Sequence, residues 1–144
     1  FGETLYRAYD ADAVSDLYTS DCRIFHAGQL FKHGVENVNV RIGSSFPEPV
    51  DRRMLASWLS YDDLHRLVTA SLTTPVLGHT IIFGMSNNSV SWWDNSQARH
   101  VGYVAQDSAD AYREAVYART PVPDVNDPTV QYQGGAFVRL GPFE

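Results

Sequence analysis

At 144 residues, 44% of them hydrophobic, the chain is long enough to bury one packed core, and no apolar run approaches the length of a membrane span. Seventeen acidic against eleven basic residues give a formal net charge of −6, which argues against a general binder of nucleic-acid backbones. A local arginine site for an anion stays open, because screening at physiological salt acts over about 8 Å. Cys22 is the single cysteine, so no intrachain disulfide forms and a reducing cytoplasm is the default setting.

The chain opens on Phe1-Gly2-Glu3, with neither a methionine nor a signal-like order of basic, apolar and small residues, and reads as a piece of something longer. Glu3 to Tyr9 is helix-like, with Leu5 and Tyr9 on one face. Asp10 to Gly28 reads as an acidic helix followed by a loop. Leu30 to Gly34 is the last turn of a helix closed by glycine. The β-branched run Asn37 to Ile42 then predicts a strand. Gly43 follows, where backbone angles closed to other residues are expected, and Pro47 and Pro49 stiffen a loop that presents Arg52 and Arg53.

Ser60 is placed to cap a helix, with Asp63 as its partner three residues on and Leu64, Leu67, Val68 and Leu72 at core spacing. Pro75 stops that helix. Thr80 to Met85 predicts a second strand, whose continuous apolar run fits a sheet covered on both faces. The polar loop Ser86-Asn87-Asn88-Ser89 comes next. Trp92-Trp93-Asp94-Asn95 leads into a short helix that ends near Gly102, with Asp94 as the cap. Asp107 and Ser108 offer caps for a further helix, in which Tyr112 and Val116 share a face. Pro121 to Asp127 reads as an extended arm, followed by Val130 to Phe137.

A strand running into a glycine- and proline-bearing loop with two arginines suits the capture of an anionic small molecule. Ligands of open α/β sheets sit beyond the carboxyl ends of strands, and a guanidinium matches a carboxylate in bidentate fashion. The same two arginines also read as a solvated surface pair. His26, His33, His65, His79 and His100 lack metal-site spacing. Ser44 and Ser45 have no nucleophile-elbow context and read as hydrogen-bond donors. Trp92 and Trp93 read as packing residues, Asp62 and Asp63 as complements to a helix dipole and its orphan amides, and Glu48 as a residue that shapes the loop or pairs with an arginine. No glycine-rich phosphate loop is present, so the residues by themselves assemble no complete catalytic machine.

Several ordered stretches carry a resemblance. Phe1-Gly2-Glu3-Thr4-Leu5, Val40-Arg41-Ile42-Gly43-Ser44, Pro47-Glu48-Pro49, Arg53-Met54, Trp58 to Asp63, Trp92 to Ser96 and Gln133 to Phe137 together resemble the uronate dehydrogenase family. That family belongs to the extended short-chain dehydrogenase/reductases, the NAD-dependent epimerase/dehydratase group. The resemblance implies an α/β Rossmann-type fold, of which residues 1–144 are the carboxyl-terminal, substrate-side half with an incomplete parallel sheet. It implies oxidation of D-galacturonate or D-glucuronate at C1 to an aldarolactone, with hydride passing to NAD.

By the same resemblance, Ser44 and Arg53 are the substrate-binding residues and Ile42 and Gly43 lie on the cofactor side, while Arg41 is structural. The Tyr-x-x-x-Lys pair, the catalytic serine and the glycine-rich NAD turn fall before Phe1, so no catalytic residue is assigned within the chain, and the chain alone is inactive. Residues 10–28 stand out as about twenty residues more than the family's direct passage from helix to strand. They are an insertion or an artefact of the reading frame. A homo-oligomer is compatible, with Phe137 on a carboxyl-terminal arm packing against a neighbour. The alternatives are a related sugar or sugar-phosphate dehydrogenase, and a non-catalytic binding domain.

Overall fold

The computed structural model describes Leu30, residues 32–132 and residues 135–139. The helix expected at Glu3 to Tyr9, the segment Asp10 to Gly28, Cys22, His26 and Gln133-Gly134 lie outside the described residues. The chain divides into two units, Gly34–Pro121 and a second made of Phe1–His33 with Val122–Glu144.

The first unit is built on β1 (Asn37–Ile42) and β4 (His79–Gly84), which pair in parallel with Val40 opposite Ile82. Between them come β2 (Ser44–Ser45), α1 (Met54–Ser57), β3 (Trp58–Leu59) and α2 (Tyr61–Thr73), with β2 and β3 forming a second parallel pair. Beyond β4 follow short 3-10 turns at Ser96–Val101 and Ala109–Tyr112, then α3 (Arg113–Arg119). No described helix is long and apolar enough to cross a membrane.

β1 has the bounds its sequence predicts, while β4 begins one residue before Thr80 and ends at Gly84. The expectation of a sheet covered on both faces fails inside this unit. Thr80, Ile82 and Gly84 are buried, and His79, Ile81 and Phe83 are only partly so. The reason lies in the partner strand. Val38 and Val40 share the face of Thr80 and Ile82, whereas Asn39 and Arg41 stand beside Ile81 and Phe83 and make that side polar. On the apolar side Ile82 packs with Leu67, Ala98 and Val101, joined by Val38, Val40, Ala70 and Leu77. Burial of one such Leu or Ile contributes about 1.5–3 kcal/mol.

α2 starts and stops where expected. The Ser60 hydroxyl accepts the Asp63 amide at 2.9 Å, and the helix ends at Thr73, ahead of Pro75. Its buried face, however, is rotated from the leucine stripe. Asp63 and Leu67 are buried, while Val68 and Leu72 are exposed, Leu72 by 81%. Asp63 takes a core position because its carboxylate is saturated by two backbone amides from another segment and by one guanidinium of its own helix. It accepts the amides of Gln106 (2.9 Å) and Asp107 (3.0 Å) and the Arg66 guanidinium (2.6 Å). It therefore ties two segments together and does not serve the orphan amides of α2.

Trp92 is 45% exposed and so is no core residue, whereas Trp93 stacks on Phe83 with ring centroids 5.1 Å apart. The helix expected after Asp94 is a 3-10 turn with Asn95 at its cap position. Asp94 accepts the Ser96 amide, and Asn95 instead bonds both the amide and the carbonyl of Phe83. Gly102 closes the turn at φ 75°. Ser108 caps Ala109–Tyr112, and Tyr112 and Val116 do share a face, packed with Leu55, Trp58 and Ala109. Asp107, the alternative cap, binds the Ser60 hydroxyl and Arg66.

In the second unit Leu30, Lys32 and His33 are helical, and Asp127 caps α4 (Pro128–Gln131). Gly34, which begins the first unit, has φ 65°. Arg139, in the 3-10 turn Gly135–Arg139, pairs with Asp127, and Phe137 is 78% exposed.

The hydrogen-bonded carboxylates set the acid limit of this fold. The Ser60 hydroxyl and then Arg66 hold Asp107 below the usual carboxylate range, and Ser89, Ser108 and Arg113 do the same for Asp110. Arg139 and Thr129 bring Asp127 down to about 2. A folded pKa below the unfolded value of about 3.9 stabilises the native state above that pH. The stabilisation is lost as pH falls through the folded values. Thermal unfolding should accordingly be flat from pH 7 to about 5 and decline below about pH 4, and Asp107→Asn should flatten part of that decline. An acid profile unaltered by Asp107→Asn would remove Asp107 from the account.

Candidate active site

Because β1 and β4 are parallel, their carboxyl ends lie along one edge of the sheet, and the chain leaves β1 there through Gly43 into β2. The Gly43 amide donates to the Gly84 carbonyl at 3.1 Å, which extends the ladder past Ile42. The reason expected for Gly43 needs correction. Glycines with positive φ in the described residues are Gly34, Gly78, Gly102 and Gly135, so Gly43 is not needed for its backbone angles. It is needed for space. A Cβ at Gly43 would sit 2.1 Å from the Ser57 carbonyl oxygen and 2.7 Å from the Trp93 ring.

The proline loop that follows is held from several sides. The Trp58 indole donates to the Phe46 carbonyl at 2.8 Å, Asp51 accepts the Met54 amide at 2.8 Å, and Arg119 bonds the carbonyl of the buried Pro49. Glu48 is exposed and enters none of the ion pairs among the described residues, so the expected pairing with an arginine is not formed there.

The twin arginines separate. Arg52 donates to the Thr120 hydroxyl (3.3 Å) and the carbonyls of Thr120 (3.0 Å) and Tyr117 (3.4 Å), and its guanidinium lies 4.6 Å from the Tyr117 ring centroid. Those contacts engage it structurally. Arg53 turns the other way, with Nη2 donating to the Ser44 hydroxyl at 3.3 Å and no carboxylate partner among the described residues. Arg41 lies 5.3 Å from the Phe83 ring centroid.

Ser44 is buried, and its hydroxyl lies 3.2 Å from that of Ser57, which is also fully buried. The structure therefore brings Ser44 and Arg53 together, with Gly43 adjacent. Ile42, 51% exposed, ends β1 next to them. Ser57 escaped the sequence reading, since one serine at the end of a four-residue helix carries no signal. Asn88 did as well. Read as part of a polar loop, it is buried and donates to the carbonyls of Trp58 (2.8 Å) and Ala56 (3.3 Å) while accepting the Ala109 amide (2.9 Å). It thereby fixes the far end of α1.

The arrangement joins a donor-only guanidinium to a hydroxyl, two groups of the kind that bind a small anion. Beside it the Ile42 side chain is half exposed at the end of β1. The arrangement offers no phosphate cradle among the described residues. No group of three or more His, Cys, Asp and Glu side chains converges as a metal site among them either.

Comparison with known proteins finds relatives over part of their length. The chain is 49% identical over 130 residues to the uronate dehydrogenase of Pseudomonas putida and 51% identical over 130 residues to that of Pseudomonas syringae pv. tomato. Each match covers 90% of this chain, but 47% and 46% of the relative, so the chain spans about half the length of the curated relatives it matches. Of solved structures, glucuronic acid dehydrogenase from Chromohalobacter salexigens matches with a TM-score of 0.80 at 42% identity, covering 83% of this chain and 45% of that one. A tyrosine variant of uronate dehydrogenase from Agrobacterium tumefaciens, complexed with NAD, matches with a TM-score of 0.80 at 41% identity, covering 85% and 46%. No family model matches.

Fold and likeness together define the class: the chain is an α/β homologue of the Rossmann-type extended short-chain dehydrogenase/reductases, over part of their length. Within that class it is a homologue of uronate dehydrogenase, again over part of that enzyme.

Proposed function

We propose that this chain is the substrate-side portion of a NAD-dependent uronate dehydrogenase, in which Arg53 and Ser44 grip the carboxylate of D-galacturonate or D-glucuronate. The sugar is oxidised at C1, its anomeric hydrogen leaves as hydride to NAD, its hydroxyl proton leaves to a base, and an aldarolactone results. Ile42 and the Gly43 backbone line the cofactor side. On this reading residues 1–144 act as one domain with a cofactor-binding portion outside this chain, which carries the base, and residues 10–28 are an insertion or an artefact. The chain by itself is inactive.

The observation that supports this most directly is the division of labour between Arg52 and Arg53. One guanidinium is occupied by its own fold, and the other is paired with a buried hydroxyl and no carboxylate among the described residues. A guanidinium in such a position binds a ligand carboxylate with a charge-assisted hydrogen bond worth about 1.5–3 kcal/mol.

The test is NADH formation by the full-length polypeptide that carries these residues. D-galacturonate and D-glucuronate should each support turnover, while neutral hexoses and sugar phosphates should not. Turnover with sugar phosphates and none with uronates would replace the reading by a phosphosugar dehydrogenase, and no turnover with any sugar would favour a binding domain.

A further inference from the structure

We infer that Ser57 is a positioning residue that aims the Ser44 hydroxyl at the uronate carboxylate, an inference that rests on the reading of Ser44 and Arg53 as the substrate side. Ser57 touches three residues of the site. Its carbonyl oxygen is pressed against Gly43 so closely that a Cβ there would lie 2.1 Å away. Its hydroxyl lies 3.2 Å from Ser44 Oγ and 3.5 Å from the Arg53 carbonyl. With no exposed surface, it is held in place by the packing around it.

Counting protons shows what this hydroxyl can do. Arginine only donates, so Arg53 Nη2 gives a hydrogen to Ser44 Oγ, which retains one hydrogen of its own. In the free site that hydrogen goes to Ser57 Oγ, and the Ser57 hydrogen goes to the Arg53 carbonyl. This closes a loop from Arg53 through both serines and back to Arg53.

A carboxylate oxygen arriving beside Ser44 accepts its hydrogen. Ser57 then turns its own hydrogen onto Ser44 and gives up the 3.5 Å contact, the longest of the loop. The exchange breaks one weak bond and leaves Ser44 Oγ with two donors as it donates to the ligand. Hydrogen bonds in such chains polarise one another, so the Ser44 hydroxyl becomes a stronger donor when Ser57 is present.

The experiment is a double-mutant cycle in the full-length enzyme, using Ser57→Ala, Ser44→Ala and the pair, with KM for uronate, KM for NAD and kcat read separately. Ser57→Ala should raise the uronate KM about twofold to tenfold, the loss of one net hydrogen bond, and leave the NAD KM in place. In the Ser44→Ala background Ser57→Ala should add nothing, because its action passes through Ser44. Additive effects, or an NAD KM that moves as much as the uronate KM, would overturn the inference. A Ser44→Ala change that raises the uronate KM while Ser57→Ala does not would overturn this inference alone. A uronate KM indifferent to Ser44→Ala would remove the substrate-side reading, and the inference with it. Should Ser57→Ala fail to fold, Ser57→Cys keeps the volume with a weak donor, and the same outcomes decide.

Discussion

Arg53→Ala is expected to raise the uronate KM of the full-length enzyme by about tenfold to a hundredfold and to leave the NAD KM close to its starting value. The size follows from the loss of a charge-assisted hydrogen bond, about 1.5–3 kcal/mol, at tenfold per 1.4 kcal/mol. The selectivity follows from the proposed roles, in which Arg53 with Ser44 holds the sugar carboxylate while Ile42 and the Gly43 backbone face NAD. Among the described residues the Arg53 side chain holds one bond, at 3.3 Å, so the melting temperature should move far less than the kinetics. Arg53→Lys should recover only part of the loss, because a single ammonium cannot reproduce the fork. Arg52→Ala is the informative contrast, since that guanidinium binds Thr120 and Tyr117 and its loss should appear in stability first. Uronate kinetics unchanged by Arg53→Ala would sink the assignment.

Gly43→Ala is expected to damage stability and both substrates at once. The added methyl has a peptide oxygen 2.1 Å away on one side and an indole ring 2.7 Å away on the other. Neither yields alone. The oxygen belongs to Ser57, whose hydroxyl is bonded to Ser44, and the indole is stacked on Phe83. Overpacking of this kind costs about 1–3 kcal/mol or more, a fall in Tm of about 3–10 °C for a domain of this size. The uronate KM and the NAD KM should rise together, a pattern distinct from that of Arg53→Ala. Gly84→Ala provides the measure of comparison. Its Cβ would meet the Leu59 and Val40 side chains at 3.2 Å, and side chains can shift by a few tenths of an ångström. A Gly43→Ala protein that melts no lower than the Gly84→Ala protein would refute the steric account.

Local chemistry made β1 and the limits of α2 legible in the sequence. β-branched residues give the strand, Ser60 starts the helix, and Pro75 follows its end. The orientation of α2 was hidden because a carboxylate took a core position. Asp63 is buried only because the amides of Gln106 and Asp107, 43 and 44 residues away, converge on it. No local pattern announces such a contact. The site divided in the same manner. Ser44 and Arg53 were reached through likeness to a family, while the physics of the loop left Arg52 and Arg53 equivalent. What distinguishes them is Thr120, 68 residues further along the chain. Gly43 was singled out for a reason that proved different, since steric demand from Ser57 and Trp93 cannot be inferred from the residues beside it.

The ties on the proline loop bear on how a ligand is selected. With Phe46 bonded to Trp58, Pro49 to Arg119 and Asp51 to the start of α1, the loop that carries Arg53 has its shape before any ligand arrives. Complex formation then immobilises mainly one guanidinium, at about 0.5–1.5 kcal/mol, and spares the ordering of a whole segment. On the proposed function such a receptor has one adjustable group on a fixed loop, so chain-shortened and chain-extended sugar acids should bind more weakly than uronates, with no slow closure of the loop in either case.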